Sequence, residues 1–213
     1  MSEEIKCRLR QAGYETFVEA RPRYRGCSLW SSLVYVRKGT FKGVATVTND
    51  SREMEHIRRI AQVQDGIRHI AKIREIIGHI IVYDEAPGEL VWESEQRPPV
   101  TAFDRMGQEF LSDLRRTNLV HADIRPWNVF FEPKTQSFTF IDWGFSFFIG
   151  DQIDHLRCHI QSRGHALSDG FSISQKDLEF NVQILQGTTT PETAWRHSSA
   201  EFEWRPPWCH SLA

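Results

Sequence analysis

The run L-V-H-A-D-I-R-P-W-N-V-F-F, Leu119 to Phe131, and the run F-T-F-I-D-W-G-F, Phe138 to Phe145, decide how the rest of this chain is read. Two short apolar segments, Val129-Phe130-Phe131 and Phe138-Thr139-Phe140-Ile141, flank the polar stretch Glu132-Pro133-Lys134-Thr135-Gln136-Ser137. That pattern predicts a β-hairpin with a polar turn. His121, Asp123 and Asn128 stand just before the first strand, and Asp142 just after the second. An antiparallel hairpin brings its open ends together, so these polar residues are expected to converge. Asp123, Asn128 and Asp142 then offer two carboxylates and an amide oxygen, hard ligands suited to Mg²⁺.

The arrangement resembles the protein-kinase-like superfamily. His121-x-Asp123-x-x-x-x-Asn128 matches the catalytic-loop pattern H-x-D-x-x-x-x-N, and Asp142-Trp143-Gly144 matches D-F-G with Trp for Phe. The resemblance implies an α+β, two-lobed fold with a small β-rich N-lobe over residues 1–90 and a reduced, mostly helical C-lobe over 91–213. It implies that Asp123 accepts the proton of an attacking hydroxyl and that His121 organises the loop. Asn128 and Asp142 would hold the Mg²⁺ that bridges the phosphates of ATP. Arg125, two residues after Asp123, stands where serine/threonine protein kinases place a lysine beside the transferred phosphoryl group. The run D-I-R-P-W-N also looks like the catalytic loops of small bacterial kinases acting on lipopolysaccharide or polysaccharide chains. Trp127 within it has a plainer reading as packing beneath the loop.

At 213 residues the chain is long enough for one domain or two small lobes. A formal net charge of −2 argues against a generic nucleic-acid or membrane-surface binder. No window is apolar enough for a transmembrane span, and the charged start M-S-E-E-I-K-C-R lacks the core of a signal peptide; a cytoplasmic protein is expected. Cys7, Cys27, Cys158 and Cys209 lack the spacing of a disulfide framework. His155, Cys158 and His159, with Cys209 and His210, are the one cluster with zinc ligands, but no C-x-x-C accompanies them.

In chain order, Ser2 to Ala12 reads as a helix and Tyr14 to Ala20 as a strand, followed by the basic turn Arg21 to Ser28. No G-x-G-x-x-G is present; Arg23, Arg25 and the backbone around Gly26 are candidates for covering phosphate in its place, with a solvated loop as the alternative reading. Leu33 to Val36 and Phe41 to Thr48 read as strands around a turn at Arg37-Lys38-Gly39-Thr40. The second of them, G-V-A-T-V-T, resembles the V-A-I-K strand of kinases with Val47 at the lysine position. Lys42 and Lys38 are the nearest cations that could reach nucleotide phosphates from neighbouring positions. Asn49-Asp50-Ser51 caps an amphipathic helix carrying Glu53 and Glu55, either of which would correspond to the glutamate that pairs with the missing lysine. Asp84-Glu85-Ala86-Pro87 is the candidate hinge that binds adenine through its backbone. Thr101 opens a helix with a capping-box-like pattern and an apolar stripe of Phe103, Met106, Phe110, Leu111 and Leu114.

About seventy residues follow Gly144, with helices expected over Asp151 to His165 and Ser174 to Leu185. The stretch from Glu192 carries Trp195, Trp204 and Trp208 and is a candidate for contacting a protein partner. The expected activity is transfer of the ATP γ-phosphate, with Mg²⁺, to a hydroxyl acceptor, either a saccharide or a protein serine or threonine. The competing readings are a pseudokinase scaffold, favoured by the absent lysine and glycine loop, and transfer of AMP to a protein by the same metal site.

Overall fold

The computed structural model describes residues 2–17, 33–162 and 170–190, and the chain divides into two compact units. The basic turn with Arg23, Arg25 and Gly26, and the Trp-rich stretch from Glu192, lie outside the described residues.

The first unit, Met1–Asp65 with Ile70–Ala86, is built on a five-stranded antiparallel sheet. Its elements are α1 (Glu3–Gln11), β1 (Glu15–Phe17), β2 (Val34–Lys38), β3 (Phe41–Val47), α2 (Ser51–Val63), β4 (Ile73–Ile77) and β5 (Ile80–Asp84). The strand order is β1-β2-β3-β5-β4. Tight two-residue loops close both hairpins, with Gly39 and Gly78 supplying the positive φ that such loops need. Alternation along β2, β3 and β5 puts Val36, Ala45, Ile80 and Val82 on one face, where Leu9 of α1 and Tyr14 complete a core. Val47 packs against that same cluster. Lys42, Val44 and Thr46 therefore alternate onto the other face. At the start of α2 the Asp50 carboxylate accepts the Arg52 N–H at 2.8 Å, and Met54, Ile57 and Ile60 are buried one helical turn apart.

The second unit, Gly66–His69 with Pro87–Ala213, holds the hairpin of the sequence pattern. It comprises β6 (Glu89–Leu90), α3 (Val100–Arg116), β7 (Leu119–Val120), β8 (Val129–Glu132), β9 (Ser137–Phe140), β10 (Phe147–Phe148), α4 (Arg157–Ser162) and α5 (Gly170–Gln186). Strands β6, β8 and β9 form one antiparallel sheet, and β10 pairs with β7 in another. The hairpin expected around Glu132–Ser137 is present, with Val129 opposite Phe140 at its open end. The stripe of α3 packs on it: Phe103 meets Phe138 edge-on at 5.1 Å, and Phe110 stacks on Phe140 at 4.3 Å. α3 begins one residue before the expected cap. Pro99, not Thr101, is its N-cap residue, without a side-chain cap. The apolar stripe and the Phe103 N–H bond to the Pro99 carbonyl, 3.0 Å, anchor this end instead.

Helix α5 crosses α3 at Gly107, where a Cβ would come within 2.4 Å of Leu178 Cδ1 and 2.8 Å of its Cδ2. Leu178 is buried, so the pair has little room to part. Gly107→Ala should therefore destabilise the chain by about 1–2 kcal/mol, overpacking outweighing the helix propensity that alanine adds. A lower denaturant midpoint at unchanged slope is the expected result, and a gain in stability would contradict the close crossing.

Candidate active site

The catalytic-loop residues converge because β8 and β9 are paired. Beyond the last strand pair, the Ile141 N–H donates to the Asn128 carbonyl at 3.0 Å. The Ile141 carbonyl accepts His121 Nε2 at 3.1 Å, which makes Nε2 the protonated ring nitrogen. One residue, Ile141, thus bonds both Asn128 and His121 from the position immediately before Asp142. His121 and Asn128 are buried, and His121 also packs against Trp143 at 5.0 Å and Phe110 at 5.8 Å.

Asp123 is buried and held from two sides. Asn128 Nδ2 donates to Asp123 Oδ2 at 2.7 Å and to the Asp123 carbonyl at 3.0 Å. Arg125 Nε lies 2.7 Å from Asp123 Oδ1. With its Nδ2 so committed, the Asn128 amide presents its oxygen as the remaining ligand atom. Asp142 is half-buried and has a φ of +69°, a left-handed conformation that aspartate tolerates better than most residues. Its Oδ1 accepts the Gly144 N–H at 3.0 Å, and the next turn is closed by Ser146, whose N–H and hydroxyl both bond the Trp143 carbonyl. These are oxygen donors of the kind Mg²⁺ takes. Mg²⁺ characteristically binds one or two carboxylates together with water and substrate phosphate, so no dense cage is needed. Among the described residues no group of three His, Cys, Asp or Glu side chains gathers as a metal site. The side chains of Cys158 and His159 lie outside that description.

The loop backbone rests on three polar side chains of α5 that the sequence reading did not single out. Ser174 Oγ accepts the N–H of His121 at 3.1 Å and of Ala122 at 3.4 Å. Asp177 Oδ2 accepts the Ile124 N–H at 3.2 Å, and Asn181 Nδ2 donates to the Ile124 carbonyl at 2.7 Å. All three are buried. Ala122 sits at φ +53°, a strained conformation for a residue with a Cβ, and these bonds hold it there. The signal was present: Ser174, Asp177 and Asn181 recur at i, i+3 and i+7 on the face that buries Ile173, Leu178, Ile184 and Leu185.

The remaining candidates lie in the first unit. Lys38 Nζ is 3.8 Å from Glu75 and 4.8 Å over the Tyr14 ring, whose hydroxyl donates to Glu75 at 2.7 Å. Burial, with the Glu75 hydrogen bond and charge, pushes the Tyr14 hydroxyl up to about 12. Lys38 is thus engaged in a surface cluster, while Lys42 is exposed on β3. Glu55 is exposed beside Arg58 at 3.7 Å, and Glu53 accepts the Thr48 hydroxyl. In the candidate hinge, the Asp84 N–H donates to the Lys72 carbonyl at 2.8 Å and the Glu85 N–H to the Lys42 carbonyl at 3.3 Å. Those two donors are committed to the unit's own backbone. Ala86 is buried, and burial raises the Asp84 carboxyl above its ordinary range against the pull of Arg74 and Lys72.

No family model and no curated protein matches this chain. Among solved structures, it is similar to the kinase PK-1 of Cydia pomonella granulovirus, with a TM-score of 0.52 and 16% identity over 70% of this chain. The chain spans 58% of that kinase's length. The fold is protein-kinase-like. Among the described residues, no helix is long and apolar enough to cross a membrane.

Proposed function

We propose that this chain is a compact, two-lobed kinase that transfers the γ-phosphate of ATP to a hydroxyl acceptor. The observation that carries the reading is Ile141, whose N–H and carbonyl join Asn128 and His121 beside Asp142 while Asn128 also holds Asp123. A hydroxyl placed at Asp123 would give its proton to that carboxylate as the oxygen attacks. Arg125 offers a positive charge beside the transferring group, and phosphoryl transfer depends chiefly on such positioning and neutralisation. Asn128 and Asp142 would hold Mg²⁺, which supplies charge neutralisation at the phosphates. The D-I-R-P-W-N loop favours a saccharide acceptor over a protein one.

A second reading, a pseudokinase scaffold, is favoured by Val47, which packs in the α1-side core where the family's strand carries lysine. Incubation with Mg²⁺ and ATP labelled on the γ- or the α-phosphate separates the readings. Transfer of γ-label to a saccharide panel, lost in Asp142→Ala, is the expected outcome. Transfer of α-label to protein would replace the reading with AMP transfer, and no transfer of either label would favour the scaffold.

A further inference from the structure

Arg125 is held by more than its ion pair. Its guanidinium carbon lies 5.0 Å from the centre of the Trp127 ring, while Nε is 2.7 Å from Asp123 Oδ1. Trp127 is met edge-on by Trp92 at 5.4 Å and an interplanar angle of 90°. The Trp92 N–H in turn donates to the Pro126 carbonyl at 3.2 Å, and Pro126 keeps Arg125 extended at φ −127° and ψ 157°. The arginine side chain is 17% exposed, a partly desolvated setting in which a cation over an indole face interacts most strongly. A long side chain tied by one ion pair alone would retain much rotamer freedom, and the aromatic face removes it.

We infer that Trp127 is a positioning residue of this site: its indole, backed by Trp92, fixes the Arg125 guanidinium against Asp123. The brace is a property of the loop itself, and only its consequence for turnover rests on the proposed phosphotransfer. Asp123 Oδ1 is covered by Arg125 and Oδ2 is engaged by Asn128. A phosphate that draws the guanidinium to itself uncovers Oδ1 for the acceptor's proton. The grip of Trp127 sets how readily that exchange occurs, so a plain core role for Trp127 understates it.

The test is ¹⁵N NMR of the Arg125 Nε–H in the full chain, assigned by its disappearance in Arg125→Lys. In the wild type this proton should be shifted upfield by the indole ring and show nuclear Overhauser contacts to Trp127 ring protons. In Trp127→Leu the shift should vanish and solvent exchange should quicken about tenfold, with Trp127→Phe restoring part of both because it keeps an aromatic face. Absence of the Overhauser contacts in the wild type, which needs no variant to fold, overturns the inference. So does a folded Trp127→Leu with wild-type exchange. If these signals behave as expected but Mg²⁺-ATP leaves them unmoved, the brace is upheld and the phosphotransfer reading alone fails.

Discussion

Asp123→Asn should lower phosphoryl transfer by about 10²–10⁴-fold, the usual contribution of a positioned general base, while leaving Mg²⁺-ATP affinity unchanged. The substitution keeps the size of the side chain, and its amide oxygen can still accept Asn128 Nδ2, now at 2.7 Å from Asp123 Oδ2. What it removes is the capacity to take a proton and the charge that faces Arg125 Nε. The loss should therefore appear in kcat and not in nucleotide binding. Steady-state turnover measured beside calorimetric titration checks both halves. Wild-type turnover in the folded variant would remove Asp123 from the reaction.

Asp113→Ala should clearly destabilise the second unit, although it removes no apolar core side chain. Asp113 is wholly buried on α3, yet it accepts the Arg68 N–H at 2.9 Å, Arg68 Nε at 2.8 Å and Arg68 Nη2 at 3.0 Å, and pairs with Arg116 at 2.7 Å. Removing it strands the Arg68 backbone donor and cuts the Arg68–Asp113 bonds between Gly66–His69 and α3, leaving those of Glu109 to Arg68 and His69. The expected cost is about 2–3 kcal/mol, below that of a fully buried pair because both arginines are more than half exposed and water screens them. Burial alone would push the Asp113 carboxyl up, but the hydrogen bonds and charge of Arg68, with Arg116, outweigh it and hold the group below its ordinary range. Glu109, next to it on α3, is likewise held low, first by its hydrogen bond to His69. A carboxylate whose folded pKa is depressed contributes stability above its unfolded value of about 4 and loses it as pH falls through the folded one. Thermal unfolding from pH 7 to pH 3 should show the wild type approaching Asp113→Ala at the acid end. A constant gap between the two would contradict the assignment.

What the sequence made legible follows from how local each signal is. The hairpin is announced by two apolar runs around a polar turn, and pairing of Val129 with Phe140 suffices to bring His121, Asn128 and Asp142 together. Spacing alone carried that far. Strand alternation in Phe41–Val47 and the α3 stripe were equally readable, since each depends on one element's own periodicity. Asp113 was not, because its partner Arg68 lies 45 residues away and the residue otherwise looks like the polar face of an amphipathic helix. Ser174, Asp177 and Asn181 were marked by their spacing on the apolar face of α5, but their partners are backbone groups of the loop, which leave no mark in composition. The β10–β7 pair is two residues long and joins Phe147 to Val120, too short to show as a strand pattern. The expected capping box at Thr101 yielded to Pro99 because packing against the hairpin fixes that end of α3 without a side-chain cap.

The central claim is that Asp142 and Asn128 form the metal-binding end of a nucleotide site. Isothermal titration of the full chain with ATP, with and without Mg²⁺ and beside Asp142→Ala, addresses it most directly. Binding that requires both the metal and Asp142, in a variant whose thermal unfolding matches the wild type, is the predicted result. Absence of binding in the folded wild type, or metal-independent binding that survives Asp142→Ala, would contradict it.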